Sequence, residues 1–164
     1  GNGMHEGSEQ GPLIDHNAVV KVSEHIEDAI ARGATVATGG ALHELGGTFF
    51  QPTVLAGATA SMKIAREETF GPVAPVFRFK DEEEALSAAN GTEYGLAAYL
   101  FARDYACLHR VSEGLEFGIV GVNTGNFSFE GAPFGGWKLS GVGREGSHHG
   151  IDEFLEVKYV CTAL

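Results

Sequence analysis

Between Val73 and Val122 five segments alternate between strand-like and helix-like hydrophobic periods, and that alternation restricts the architectures open to the chain. Val73–Phe79 is an apolar run of strand length. Asp81 then stands as a helix N-cap, with Glu82, Glu83 and Glu84 in the first turn, where the positive helix end favours them, and Asn90-Gly91 ends the helix. Leu96–Ala102 reads as a buried strand, Asp104 caps a second helix carrying Leu108, Val111 and Leu115, and Phe117–Val122 is a third strand. Strand, helix, strand, helix, strand with short links requires crossovers between parallel neighbours. The predicted class is therefore α/β, a mostly parallel sheet flanked by helices. Upstream, Asp15 caps a predicted helix over about residues 16–32, with Val19, Val22, Ile26 and Ile30 on one face and Gly33 as its stop. Thr35–Ala37 and Phe50–Leu55 are shorter strands, set off by Gly39-Gly40 and Gly46-Gly47. No repeat, low-complexity tract or linker divides the chain, so its 164 residues are expected to form about one domain.

Composition excludes several functions. Eleven basic residues against 22 acidic ones give a net charge of −11, which leaves no basic stripe to neutralise a phosphate backbone, so no nucleic-acid partner is expected. At 43% hydrophobic residues the chain can bury a core. No apolar run reaches the roughly 20 residues of a membrane helix and no signal-peptide pattern opens the chain, as expected of a soluble cytoplasmic protein with no membrane partner. The opening Gly1-Asn2-Gly3-Met4 reads as a loop, as in a segment of a longer polypeptide.

Function is expected where the strand at Phe117–Val122 ends, since ligands of open parallel sheets lie beyond the carboxyl ends of the strands. The segment leaving that strand, Asn123 to Gly136, is long, glycine-rich and aromatic. It is either a surface connection with tight glycine turns or a pocket wall, and Phe127, Phe129 and Phe134 favour the wall. Gly141-Val142-Gly143-Arg144-Glu145-Gly146 matches the dinucleotide pattern G-x-G-x-x-G, but no hydrophobic strand precedes it and too little chain remains after it for a βαβ unit, so the match is rejected. Adjacent His148 and His149 should diverge and have no partners at ligand spacing, so no metal is expected. The two cysteines, Cys107 in mid-helix and Cys161 in an apolar run, read as buried structural thiols; His109 is too close in sequence to Cys107 to face it on a helix. No catalytic residue is assigned.

Two longer motifs carry a family resemblance. Pro133-Phe134-Gly135-Gly136-Trp137-Lys138-Leu139-Ser140-Gly141-Val142-Gly143-Arg144-Glu145 resembles the aldehyde dehydrogenase superfamily signature PFGGxKxSGxGRE, and Glu67-Glu68-Thr69-Phe70-Gly71-Pro72-Val73 resembles its E-x-F-G-P-V segment. The resemblance implies the C-terminal part of the catalytic domain over residues 1–153, then an oligomerisation strand at 154–164 that crosses to a partner subunit. It implies an NAD or NADP cofactor whose ribose is held by Glu68 and whose nicotinamide packs on Phe70. A homo-oligomer, dimer or tetramer, is implied by the same resemblance. Glu67 is expected to be merely solvated, Lys138 to fix its loop through carbonyls, and Arg144-Glu145 to start the last helix and make interface ion pairs.

In the family a cysteine thiolate attacks the aldehyde, hydride passes to the nicotinamide, and water activated by a glutamate releases the acid. Neither cysteine here lies in the family's Gly-Gln-x-Cys context, so this chain is expected to supply neither nucleophile nor base. Asn123-Thr124-Gly125-Asn126-Phe127-Ser128, Gly11–Asp15 and Thr92–Tyr99 resemble the succinate-semialdehyde dehydrogenase branch. That branch implies a small-molecule aldehyde substrate whose distal carboxylate is held by Ser128 with arginines from elsewhere, in a tunnel walled by Phe134. Glutarate semialdehyde is the alternative substrate, and a non-catalytic assembly segment the alternative class.

Overall fold

Asp15 accepts a hydrogen bond from the Ala18 N–H at 2.8 Å and starts helix α1, His16–Ala31. Arg32 caps its end, and Gly33 follows with φ +98°, a left-handed conformation that stops the helix at little cost. The computed structural model describes residues 1–163, in two compact units, Gly1–Arg78 and Phe79–Leu164. The sequence suggested no such division. It falls in a link too short to read as a linker by composition.

In the first unit α1 buries Val19, Val22, Ile26 and Ala29 against Phe50, Leu55, Met62 and Ile64. Ile30, expected on that face, is 48% exposed. It lies about 80° around the helix from Val22, whereas Ala29 falls almost in line with it. Strand β1 (Thr35–Thr38) pairs antiparallel with β2 (Thr53–Ala58), and β2 pairs in parallel with β3 (Val73–Phe77), from Thr53 opposite Val73 to Ala56 opposite Val76. β2 begins later than the expected Phe50: Pro52 has no N–H to place in a ladder, and Phe50 makes only an isolated bridge to Leu42.

In the second unit Asp81 caps α2 (Glu82–Asn90) through the Glu84 N–H at 2.9 Å, and Asp104 caps α3 (Tyr105–Gly114) through the Cys107 N–H at 2.8 Å. Arg110 of α3 forks onto the Glu82 carboxylate of α2 at 2.9 and 2.8 Å. Strand β4 (Tyr94–Gly95) precedes β5 (Ala97–Leu100), which pairs in parallel with β6 (Ile119–Val122). β4 pairs antiparallel with β7 (Trp137–Lys138).

The class is α/β as expected, but the sheets are mixed. β3 and β5 stand in separate sheets, because an apolar run marks a strand without naming its neighbour. Nor is the segment around β5 buried throughout: Leu96, Tyr99 and Phe101 are 41%, 51% and 66% exposed. A 3-10 helix spans His149–Phe154, and beyond it residues 155–163 form no ladder and are exposed throughout. Of the strand expected at 154–164, Phe154 ends the 3-10 helix, residues 155–163 pair with no strand among the described residues, and Leu164 lies outside them. Among the described residues no helix is long and apolar enough to cross a membrane.

Candidate functional site

His25 sits on the buried face of α1, 1% exposed, and grips the loop before β3 at two points. Its Nδ1 lies 2.6 Å from Thr69 Oγ1 and its Nε2 3.4 Å from Glu67 Oε2. Two residues on, Gly71 passes so close to the helix that a Cβ there would lie 2.6 Å from Val22 Cγ2. The loop is thus clamped from beneath, and Glu68 and Phe70 are left exposed, Phe70 by 80%. Glu67, expected to be merely solvated, has a side chain 56% exposed and also touches the buried imidazole at 3.4 Å. An accepting carboxylate beside a bare aromatic ring suits a ribose diol joined to a nicotinamide, so this part of the chain fits the cofactor that the motif implied. Nothing in the sequence marks His25 beyond one polar residue in an apolar stripe.

In the second unit the site-bearing loop starts where β6 ends. Asn123, with φ 53°, uses its side-chain amide on the Ala102 N–H and carbonyl, both at 3.0 Å, and so closes the end of the β5–β6 pair. Phe127 packs on Tyr99 with ring centroids 5.4 Å apart. Phe134 and Glu145 exchange backbone hydrogen bonds at 2.8 and 2.7 Å, and the Ser147 N–H donates to the Glu130 carbonyl at 3.0 Å. These ties fold the loop around an open hollow of ≈ 460 Å³ whose lining includes Phe127, Ser128, Phe129, Glu130, Phe134 and Glu145. Ser128 and Phe134 are therefore brought together. Glu68 and Phe70 belong to the other unit.

The hollow contains no cation in its lining; its two charged residues are acidic. Arg144 does not help, because its Nη1 donates to the carbonyls of Gly136 and Gly143 at 3.1 and 2.6 Å. The helix start expected at Arg144-Glu145 is not found: the Arg144 side chain fastens its own loop, and the helix that follows is a 3-10 turn at His149–Phe154. Lys138 does what the sequence suggested. Its Nζ donates to the Asn90 and Thr92 carbonyls at 2.8 and 3.1 Å and pairs with Glu116 at 2.7 Å. The Gly135 carbonyl lies directly over Gly118, where any Cβ would overlap it, so the Pro-Phe-Gly-Gly run can cross the start of β6 only because position 118 has no side chain.

Neither thiol is buried as expected. Cys161 is exposed, and Cys107 is half-buried in the first turn of α3 rather than mid-helix. A helix N-terminus ordinarily favours a thiolate. Here a hydrogen bond with the Glu82 carboxylate, then burial, then the charge of that carboxylate push the Cys107 thiol above its usual range. That disfavours the thiolate, the form in which a cysteine acts as a nucleophile. His148 and His149 do not diverge; their ring centroids are 3.9 Å apart across a turn in which Ser147 has φ 49°. Among the described residues no three His, Cys, Asp or Glu side chains gather as a metal site. The Gly141–Gly146 segment is irregular, with φ 123° at Gly141, 82° at Gly143 and a bridge from Glu145 to Phe134, not the opening of a helix.

A model of the aldehyde dehydrogenase family matches residues 1–160. The chain belongs to that family. Succinate-semialdehyde dehydrogenase [NADP(+)] of Escherichia coli is 58% identical over 164 residues, covering 100% of this chain and 34% of the relative. A 3-sulfolactaldehyde dehydrogenase of Pseudomonas putida is 59% identical over 161 residues, 98% of this chain and 33% of the relative. A glutarate-semialdehyde dehydrogenase of Pseudomonas aeruginosa is 57% identical over the same shares, 98% and 33%. The crystal structure of succinate-semialdehyde dehydrogenase from Burkholderia pseudomallei superposes with a TM-score of 0.96 at 57% identity, over 100% of this chain and 34% of that one. The chain spans about a third of the length of these aldehyde dehydrogenases.

Proposed function

We propose that this chain provides the cofactor-ribose grip and one wall of the substrate tunnel in an NAD- or NADP-dependent dehydrogenase that oxidises succinate semialdehyde to succinate. The observation that carries the reading is the meeting of Ser128 and Phe134 in one hollow just beyond the carboxyl end of β6. Phe134 lends an apolar wall for a short carbon chain, and Ser128 a hydroxyl donor for an anionic end. The names of the three relatives support that division of labour: succinate semialdehyde, glutarate semialdehyde and sulfolactaldehyde each carry an anion at the end away from the aldehyde. With Glu130 and Glu145 lining the same hollow, a carboxylate needs cationic partners from outside the lining.

On the cofactor side Glu68 accepts from the ribose hydroxyls and Phe70 packs beside the nicotinamide. The nicotinamide, when bound, accepts the hydride. Residues 154–162 belong to this reading as the contact with a second copy of the chain, supported by Val157 and Tyr159, 98% and 87% exposed in a segment with no ladder of its own.

A chimera tests the proposal: residues 1–164 exchanged for the matching third of the Escherichia coli relative. It should oxidise succinate semialdehyde in preference to butanal. Ser128→Ala should raise KM for succinate semialdehyde by about tenfold, as loss of a hydrogen bond to a charged group does, and leave butanal unchanged. Equal effects on the two substrates would remove Ser128 from the site, and a preference for butanal would sink the anionic-substrate reading.

A further inference from the structure

His25 is the one side chain of α1's buried face whose polar atoms both engage the loop that carries Glu68. A carboxylate only accepts, so the contact with Glu67 requires the hydrogen on Nε2. In the tautomer with its hydrogen on Nε2, Nδ1 accepts from the Thr69 hydroxyl across 2.6 Å. Both ring nitrogens are thereby committed, one to each residue flanking Glu68. Thr69 is held towards the helix while Glu68 beside it is exposed; the side chain of Glu67, touched only at 3.4 Å, also stays 56% exposed. The contact of Gly71 with Val22 fixes the same loop two residues beyond Thr69. The backbone is also drawn tight here, the Gly71 N–H donating to the Thr69 carbonyl and the Val73 N–H to that of Gly71, at 2.8 and 2.9 Å.

We infer that His25 is a positioning residue of the ribose grip: through Thr69 and Glu67 it sets the direction of the Glu68 carboxylate, and so acts on cofactor affinity without touching cofactor or substrate. The inference rests on the ribose role of Glu68 proposed above. A histidine buried merely to fill the core would support the fold equally but would leave cofactor binding independent of Thr69. Threonine is the informative member of the pair, because valine has its shape and lacks only the hydroxyl.

The test is a double-mutant cycle in the chimeric holoenzyme, with the cofactor dissociation constant measured by calorimetric titration and KM for the aldehyde measured alongside. Thr69→Val should weaken cofactor binding about fivefold, the size of one ordinary hydrogen bond, while KM for succinate semialdehyde stays put. Thr69→Ser, which keeps the hydroxyl, should restore wild-type binding. His25→Asn, which can reach Thr69 but not Glu67, should fall between wild type and Thr69→Val. In a Glu68→Gln background Thr69→Val should add no further loss, since the group it positions has already been altered. Additive losses in the double variant would overturn the inference, as would wild-type binding in Thr69→Val. Should His25→Asn fail to fold, the threonine variants decide alone. Wild-type binding in Glu68→Gln itself would sink the ribose reading, and this inference with it; impaired Glu68→Gln beside unimpaired Thr69→Val would sink only the inference.

Discussion

Replacing Gly71 with alanine asks one methyl group to enter space that Val22 already occupies. A Cβ at position 71 would stand 2.6 Å from Val22 Cγ2 and 3.3 Å from Leu13 Cδ2. Ordinary carbon contacts lie at about 3.5–4.0 Å, so one side chain must move by roughly an ångström. Val22 is poorly placed to do so: it is β-branched, 1% exposed and packed within α1. Overpacking of this kind costs about 1–3 kcal/mol. Against it stands a gain of about 0.4–1 kcal/mol from the stiffer unfolded chain, available because Gly71 is not among the left-handed glycines. Gly71→Ala should therefore destabilise by up to about 2.5 kcal/mol. In a Val22→Ala background the main clash is gone and only the milder 3.3 Å approach to the flexible end of Leu13 remains, so the same substitution should cost much less or turn neutral, although Val22→Ala alone costs about 1.6 kcal/mol in lost burial. Urea unfolding of the chain, followed by helix circular dichroism, measures all four corners of the cycle. An equal loss from Gly71→Ala in both backgrounds would refute the contact.

The chain by itself should reduce neither NAD nor NADP on incubation with succinate semialdehyde, since neither cysteine lies in the family's Gly-Gln-x-Cys context; turnover abolished by Cys107→Ser or Cys161→Ser would contradict that. Raised above its usual range by Glu82, the Cys107 thiol forms thiolate only at more alkaline pH, so alkylation by iodoacetamide should be slow near neutrality. Glu82→Gln should shift the rate–pH curve to lower pH, and an unmoved curve would discard the Glu82 contact as the cause. Deleting residues 154–162 should leave a more monomeric species by analytical ultracentrifugation; a full chain already monomeric at about 100 μM, where micromolar contacts are populated, would end the second-copy assignment.

What could be read in the sequence is what depends on near neighbours along the chain. Asp15, Asp81 and Asp104 each cap a helix through an N–H three residues away, a geometry that needs no partner from elsewhere. The buried face of α1 comes likewise from helical period, with Ile30 misplaced because an apolar residue at the stripe's edge resembles one at its centre. The two motifs are also continuous in sequence, and Ser128 and Phe134 share a hollow partly because only a short loop separates them. Tertiary structure alone decided the rest. It chose strand partners, since a hydrophobic run has a face but carries no address for its neighbour. It set the state of Cys107, where Glu82 from another helix outweighs the local helix terminus. And it placed His25 beneath Glu67 and Thr69, more than 40 residues on, since chain closure through the α1–β2–β3 core is what brings those groups within hydrogen-bond reach.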